Sequence, residues 1–196
     1  MGLYYSYSVL FNSPVKSNEK NNNKVTKRLT KNEKNKFKFY SFLKDILIGM
    51  ILSDDHLRKF SILPTSFCNA RVIFAHSLKQ ADFLYHLFYL FTSFCASPPK
   101  IQSSIIQEKG NIRKSISFST RCLPCFNVIY DLFFYNKIKC VPSNIEELLT
   151  NISLAYWIMS DGSWSGYGIK LCTNNFTKSE VELLSKVLNP KFNFYS

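Results

Sequence analysis

Two short apolar segments, each running into an aspartate, constrain this chain more than any other feature of its sequence. The segment 41–53 is apolar nearly all round and leads into Asp54, and the segment 154–160 is similarly apolar and leads into Asp161. A helix that is apolar on every side has to be buried. A helix C-terminus favours cations over carboxylates. A cation bound at both aspartates would therefore explain why two carboxylates lie at helix C-termini.

Helices and strands are predicted to alternate between these two segments. Strand-like stretches are expected near 57–63 and 67–75, with Pro64 between them. A capping box at Ser77 predicts a helix to about Phe94, because this spacing is typical of helix N-termini. A hairpin over 100–121 is expected to turn at 109–111, and the apolar stretch 122–135 predicts another helix.

The same order of elements begins again near residue 143. A capping box at Ser143 is expected to open a helix that leads to Asp161, followed by a strand at about 167–173. A third capping box at Thr177 predicts a helix that Pro190 ends. We therefore expect an α+β fold with a disordered basic N-terminal arm over 1–40, a first repeat over 41–142 and an incomplete second repeat over 143–196.

Both aspartate-terminated segments resemble a known motif. Leu47-Ile-Gly-Met-Ile-Leu-Ser-Asp54-Asp55 and Leu154-Ala-Tyr-Trp-Ile-Met-Ser-Asp161-Gly162 are similar to LAGLIDADG, with Asp54 and Asp161 in the position of its functional acid. Further similar stretches lie at 69–71, 97–101, 118–121, 144–149 and 175–184. Over roughly 41–194 the chain resembles the two-motif, single-chain LAGLIDADG homing endonucleases.

The resemblance implies a fold, a chemistry and a set of partners. Two pseudo-repeats of helix-strands-helix-strands-helix would carry saddle-shaped sheets, with the two motif helices packed along a pseudo-twofold axis. Asp54 and Asp161 would be the catalytic and metal-binding residues, holding Mg²⁺ or another divalent cation, since such ions prefer carboxylate oxygens. The partner would be double-stranded DNA, bound by a monomer.

Close packing of the motif helices is expected to rely on small residues. Gly49 is one, and Ala155 has to serve in the second motif because Tyr156 takes the place of its glycine. Ser53 and Ser160 are also small. Asp55 stands where the motif usually has glycine after the acid, which adds a second carboxylate and alters the turn.

Alternation along the predicted strands places polar side chains on one face of each sheet. Ile116 and Phe118, for example, point away from the serines and arginines between 113 and 121. A sheet with a polar, basic face can lie on DNA and contact phosphates and base edges. We expect DNA contacts from Asn69, Arg71, Arg113, Ser115, Ser117, Arg121, Lys170 and Asn174.

Charge agrees with a nucleic-acid partner. The net charge is +12, and residues 1–40 carry nine Lys and Arg against two Glu. The longest apolar run, 83–96, is too short to span a bilayer, so no membrane association is expected. Cys122 and Cys125 have zinc-ligand spacing, but the sequence holds no second such pair to complete four ligands.

Three functions remain open. The first is a site-specific double-strand DNA homing endonuclease; the alternatives are an intron-RNA maturase and an inactive degenerate remnant. The chain stops at Ser196, directly after the last predicted helix, so the second half is expected to be incomplete. The abundance of Asn, Lys, Phe and Tyr is typical of an AT-rich organellar genome, which favours the mitochondrion, with the chloroplast as the second choice.

Overall fold

The structure, a computed structural model, describes residues 28–53, 56–59, 68–105, 112–166 and 168–193. The first part of the chain forms α1 (Lys31–Asn35), α2 (Ser41–Leu52), β1 (His56–Lys59), β2 (Ala70–Ser77), α3 (Ala81–Phe91), β3 (Lys100–Ile105), β4 (Ile112–Ser119), α4 (Cys125–Phe133), β5 (Phe134–Tyr135) and β6 (Ile138–Lys139). The second part forms α5 (Ile145–Leu148), α6 (Asn151–Asp161), β7 (Ser163–Ser165), β8 (Gly168–Lys170) and α7 (Lys178–Phe192).

Helices α2 and α6 lie side by side in the hydrophobic core and run in the same direction. Near their N-termini, Thr150 Oγ1 donates a hydrogen bond to Asp45 Oδ2 at 3.1 Å. At their C-termini, Ser53 Oγ lies 2.9 Å from Ser160 Oγ. All residues from 46 to 52 are buried, which confirms the prediction that the first apolar helix is enclosed on most sides.

Gly49 allows the two helices to approach each other closely. A Cβ added at Gly49 would lie 2.1 Å from the Ser153 carbonyl oxygen and 3.0 Å from the Trp157 nitrogen. The small partner residue is Ser153, which is buried, whereas Ala155 is exposed. The expectation that Ala155 carries the close packing is therefore wrong, because Ala155 lies on the outer side of α6.

The first repeat contains a four-stranded antiparallel sheet in the order β1-β2-β4-β3. Its alternation confirms the predicted pattern, with one face turned towards α3 and α4. Phe74 packs against Phe91 of α3 with ring centroids 5.2 Å apart, and Phe118 packs against Phe88 at 5.4 Å. The buried residues on this face are Leu57, Ala70, Val72, Phe74, Ile116 and Phe118.

The apolar run 83–96 forms α3 and the turn Thr92–Phe94, which cover this sheet. Leu84, Leu87 and Phe91 are its buried residues. In the described part of the chain, no helix combines the length and the apolar character that crossing a bilayer requires.

The segment 28–40 differs from the expected disordered arm. Lys31–Asn35 forms α1, capped by Thr30, whose hydroxyl accepts a hydrogen bond from the Glu33 N–H. Phe39 then packs between Phe94 and Phe126, with ring centroids 5.3 and 4.9 Å away. Apolar side chains spaced among the lysines therefore order this part of the chain, while residues 1–27 lie outside the described ranges.

Two helices end differently from the sequence prediction. The helix expected over 122–135 stops at Phe133, because Phe134–Tyr135 pairs with Ile138–Lys139 in a hairpin. Both residues of its turn, Asn136 and Lys137, have positive φ angles of 49° and 66°, which suits a two-residue hairpin turn. Pro190 lies inside α7, which continues to Phe192 and is capped by the left-handed Asn193.

The capping boxes also had different outcomes. The box at Thr177 is confirmed. The Thr177 hydroxyl accepts a hydrogen bond from the Glu180 N–H, and the Glu180 carboxylate accepts one from the Thr177 N–H. The box at Ser143 does not form, because α5 begins after Asn144 without a side-chain cap. Thr150 caps a separate helix, α6, through a reciprocal pair with Ser153.

The described part of the second repeat has a smaller sheet than the first. β7 and β8 form a two-stranded sheet in which Trp164 faces Ile169. The exposed fractions of these side chains are 76% and 51%, whereas the corresponding first-sheet pair, Leu57 and Val72, is buried. An apolar groove of about 770 Å³ lies between this hairpin, α6 and α7. The second sheet therefore has an open apolar face within the described residues.

The Gly49 contact gives a first prediction. Replacing Gly49 by Ala should destabilise the fold by about 1–3 kcal/mol, because the new methyl group overlaps the α6 backbone. Gly168→Ala is the matched control, since a Cβ there meets no atom within 4 Å. Urea denaturation of both variants measures the difference, and equal stabilities would contradict the proposed packing.

Glu180 gives a second prediction, on pH. Its carboxylate accepts hydrogen bonds from the Val141 N–H at 2.8 Å and from the N–H and hydroxyl of Thr177, both at 2.7 Å. Burial by itself raises the pKa of Glu180, but these hydrogen bonds outweigh it and lower the pKa below its ordinary 4.5. The ionised carboxylate therefore contributes stability above pH 4.5 that is lost as the pH falls through the lowered pKa.

Glu180→Gln should accordingly lower the free energy of unfolding near neutral pH. The difference from the unmodified protein should shrink as the pH drops below 4.5. Glu182→Gln is the control. Glu182 is exposed, and its contact with Lys178 is a long one of 3.9 Å, so its loss should change stability little. A Glu180→Gln effect that is independent of pH would argue against this linkage.

Candidate functional site

The C-terminal ends of the two motif helices meet. Ser53 caps α2, and its Oγ lies 2.6 Å from the Met50 carbonyl oxygen and 2.9 Å from Ser160 Oγ. Asp161 is the last residue of α6 and directly follows Ser160. Asp54 directly follows Ser53 in the chain but lies, with Asp55, outside the described residues. The structure thus brings together the two residues that precede the predicted catalytic aspartates.

The turn after Asp161 requires a glycine. The Gly162 N–H donates to the Ile158 carbonyl oxygen at 2.8 Å, and a Cβ on Gly162 would lie 2.5 Å from that same oxygen. A side chain at this position would push the chain away from the helix end. The motif glycine therefore fixes where the chain leaves the helix after Asp161.

Lys139 is a residue at this site that the sequence reasoning missed. Its Nζ donates a hydrogen bond to the Ser53 carbonyl oxygen at 2.5 Å and lies 4.9 Å from the centroid of the Phe176 ring. The contact brings a positive charge from β6 to the end of α2, one residue before Asp54. The only sequence signal is the general preference for cations at helix C-termini, which does not single out one lysine.

A basic cleft of about 450 Å³ opens beside Lys139, between β1 and the β5–β6 hairpin. No carboxylate belongs to its described lining. Lys59 is partly engaged elsewhere, since its Nζ contacts Asp131 at 2.5 Å and lies over the Tyr130 ring. The cationic lining suits phosphate groups; it is formed by Arg58, Lys59, Lys137 and Lys139, with His56 and Asn175 also present.

The helix ends also favour a cation. Both α2 and α6 direct their C-termini, which carry partial negative charge, towards the Ser53–Ser160 contact. The Asp161 side chain there is half-buried. Across the described ranges, no cluster of three or more His, Cys, Asp or Glu side chains could hold a metal ion. The Asp161 carboxylate is an oxygen ligand of the kind that hard divalent cations prefer.

The polar face of the first sheet carries part of the predicted DNA-contact set. Arg71 faces Arg58 across the β1–β2 pair, and Ser115 and Ser117 of β4 face Ser77 and Ala75 of β2. Arg58, Arg71, Ser115 and Ser117 all lie on the face of the sheet opposite the buried one. Arg113 is also in β4, at the register position of Ser104 in β3.

Two predicted contact residues are held by the protein itself. Asn69 Oδ1 accepts a hydrogen bond from Asn127 Nδ2 at 3.0 Å, which ties the start of β2 to α4. Arg121 lies beyond the end of β4, and its Nε donates to the Cys95 carbonyl oxygen at 3.4 Å. Both side chains therefore make contacts within the protein, and their contacts with DNA stay a prediction.

The second repeat contributes the remaining predicted residues. Lys170 is the last residue of β8, and Asn174 lies in the following turn; both are exposed. Lys170 faces Ser163 of β7 in the register. They belong to a different sheet from Arg71, Ser115 and Ser117.

Tyr156, which replaces the motif glycine, has a contact of its own. Its hydroxyl lies 2.7 Å from His86 Nε2 of α3, and the two rings are stacked with centroids 5.9 Å apart. Burial raises the pKa of the Tyr156 hydroxyl above its ordinary value. This pair joins the second motif helix to the helix that covers the first sheet.

The thiols at the Cys122 and Cys125 spacing are poor zinc ligands. Burial raises the pKa of Cys125 to about 11, and burial is also the largest cause of the raised pKa of Cys122. Zinc binds the thiolate, so both shifts work against it. All six cysteines are free thiols and half-buried.

Comparison with known proteins agrees with these observations. The model of the LAGLIDADG DNA endonuclease family matches residues 44–196. The protein named cytochrome b mRNA maturase bI2 in Debaryomyces hansenii is 37% identical over 129 residues, which make up 64% of this chain and 49% of that protein. The protein of the same name in Saccharomyces cerevisiae is 30% identical over 159 residues, or 77% of this chain and 37% of that protein. The chain thus spans half the length of these curated relatives or less.

A solved structure agrees at the level of the fold. The homing endonuclease I-WcaI, bound to its DNA recognition sequence, matches with a TM-score of 0.73 and 26% sequence identity. The match covers 83% of this chain and 73% of that one. The predicted α+β homing-endonuclease fold is therefore confirmed. With both motif helices in contact and residues 44–196 matching the family, the chain belongs to the LAGLIDADG DNA endonuclease family.

Proposed function

We propose that this chain is a site-specific DNA endonuclease that hydrolyses a phosphodiester bond in each strand of a duplex with the help of Mg²⁺ or another divalent cation. The observation that carries the proposal is the 2.9 Å contact between Ser53 and Ser160 at the ends of two parallel helices. Each serine is followed directly by an aspartate. Because both motifs lie in one chain, the proposed enzyme acts as a monomer.

Chain connectivity supports the role of the two aspartates. Consecutive Cα atoms are about 3.8 Å apart, so Asp54 follows within one residue of the contact, as Asp161 does. Two carboxylates that each follow one of the contacting serines would suit two nearby phosphates on opposite strands. A divalent cation bound there would lower the pKa of a bound water and neutralise phosphate charge. Asp54 and Asp161 are the residues that would hold it.

Lys139 is proposed to support the same reaction from the protein side. Its ammonium group lies at the Ser53 carbonyl oxygen, at the edge of the basic cleft. A fixed positive charge there stabilises the negative charge that builds up on a phosphate during hydrolysis. Arg58 and Lys59 in the same cleft would hold the flanking phosphates.

The polar faces of the two sheets are proposed to bind the duplex on either side of the cut. Arg71, Ser115 and Ser117 are on one sheet, and Lys170 and Asn174 are in and after the other. Phosphate contacts fix the register and side chains at the base edges give specificity. Asn69, Arg113 and Arg121 belong to the same proposed set.

A maturase function is the second candidate, and the names of the two yeast relatives favour it. Both are named for cytochrome b mRNA, which also supports a mitochondrial location for this chain. Mg²⁺-dependent cutting of the uninterrupted host gene would favour the endonuclease. Binding of the intron RNA without DNA cutting would favour the maturase.

Replacing Asp54 or Asp161 by Asn tests the catalytic proposal. Each substitution removes a charged oxygen donor but keeps the side-chain size, so double-strand cutting should be abolished while DNA affinity stays within about threefold. Cleavage of a plasmid that carries the uninterrupted host gene and a gel-shift measurement on the same site give the two readouts. Cutting that survives both substitutions would refute the assignment.

Replacing Lys139 by Met tests the charge at the end of α2. We expect the cleavage rate to fall by roughly a hundredfold, the size of effect seen when a fixed transition-state charge is removed. Lys186→Met, an exposed lysine of α7, is the control for net charge. Equal rates for the two variants would show that Lys139 has no part in the chemistry.

A further inference from the structure

A groove of about 460 Å³ lies on the first repeat, away from the motif helix ends. It runs between the segment after α1, the first turns of α2 and the outer side of α4. We call it the N-terminal groove, and define it by Phe37, Lys38, Phe39, Lys44, Val128 and Ile129.

The apolar side of the N-terminal groove is preformed. Phe37 and Phe39 both pack against Phe94, with centroids 5.8 and 5.3 Å away, so the aromatic wall is anchored in the core. Val128 of α4 also lines the groove and is 65% exposed. An apolar helix position this open is available for contact with a ligand.

The rim of the groove is positively charged. Lys38 is exposed and Lys44 is half-buried, and the ion pairs of the described ranges, Lys59–Asp131 and Lys178–Glu182, involve neither of them. Residues 28–45 contain six Lys and Arg and two acids, Glu33 and Asp45, and the Asp45 carboxylate accepts a hydrogen bond from Thr150 at 3.1 Å. The Glu33 carboxylate is engaged with the Thr30 N–H and hydroxyl. The groove therefore offers an excess of positive charge beside an apolar surface.

The groove does not belong to the surface proposed for duplex DNA. Helix α4 packs on the apolar face of the first sheet, where Phe126 and Phe133 are buried. Val128 projects from the outer side of this helix. Arg71, Ser115 and Ser117 lie on the opposite face of the same sheet.

We propose that the N-terminal groove binds single-stranded RNA. An unpaired base enters between the Phe37–Phe39 wall and Val128, and the phosphates on either side contact Lys38 and Lys44. A duplex cannot fill such a groove, because its bases are paired and stacked inside the helix. RNA loops display unpaired bases that stack on aromatic side chains, with phosphates next to them. The proposal deepens the maturase candidate by giving its RNA a binding site and in that sense rests on it, but it does not depend on DNA cleavage.

The double variant Lys38→Gln/Lys44→Gln tests the charged rim. The probe is a fluorescein-labelled oligouridylate of about 12 nucleotides, a length within the usual site sizes for single strands. Fluorescence polarisation should show about tenfold weaker binding, and the slope of log K against log salt should fall by about 1.4 for the two lost phosphate contacts. Lys178→Gln/Lys186→Gln is the matched control, since it removes the same charge from exposed positions on α7.

Val128→Asp tests the apolar wall without disturbing the core, because the side chain is largely exposed. It should weaken oligouridylate binding by at least as much as the lysine pair. Circular dichroism verifies that each variant is folded. Photocrosslinking of the same RNA carrying 5-iodouridine should label peptides within 35–44 or 125–129.

Three results would overturn the proposal. The first is an equal loss of RNA affinity in the groove and control pairs, since this would indicate non-specific charge attraction. The second is that the groove variants, but not the control pair, lose affinity for single-stranded DNA, a duplex or an acidic peptide by as much as they lose affinity for RNA, or by more. The third is crosslinking only to peptides outside the groove.

Discussion

The close approach of α2 and α6 is the constraint on which the rest of the structure depends. Gly49 leaves no room for a side chain between it and the Ser153 carbonyl, so the backbones of the two helices are in contact. The same approach brings Ser53 within hydrogen-bond distance of Ser160. A wider separation would part the two helix ends, and with them the two aspartates. The close packing of α2 and α6 in the core therefore also sets the geometry of the proposed catalytic site.

Local sequence rules predict those elements whose contacts are local. The alternation of Ile116 and Phe118 with serines gives the faces of β4, and the Thr177–Glu180 spacing gives the start of α7. The buried motif helices follow from their apolar character alone. In each case the deciding interaction lies within a few residues or on one side of a single element.

The sequence predictions fail where a distant partner decides the outcome. Ala155 and Ser153 are both small, and only the position of α2 shows that Ser153 faces Gly49. Lys139 is an ordinary surface lysine in the sequence, and only the β5–β6 hairpin brings it to Ser53. Pro190 is a helix breaker in most contexts, but α7 continues past it to a left-handed Asn193. Tertiary contacts decide the outcome at Ser153 and at Lys139.

The central claim is that the ends of α2 and α6 form one cation site, and iron-mediated backbone scission measures this directly. Fe²⁺ takes the place of Mg²⁺, and with ascorbate and peroxide it generates radicals that cut the peptide backbone next to the bound ion. The account predicts two cuts in the same protein population, one at residues 53–55 and one at 160–162, both suppressed by excess Mg²⁺. Cutting at only one of these positions, or at neither, would contradict a shared site.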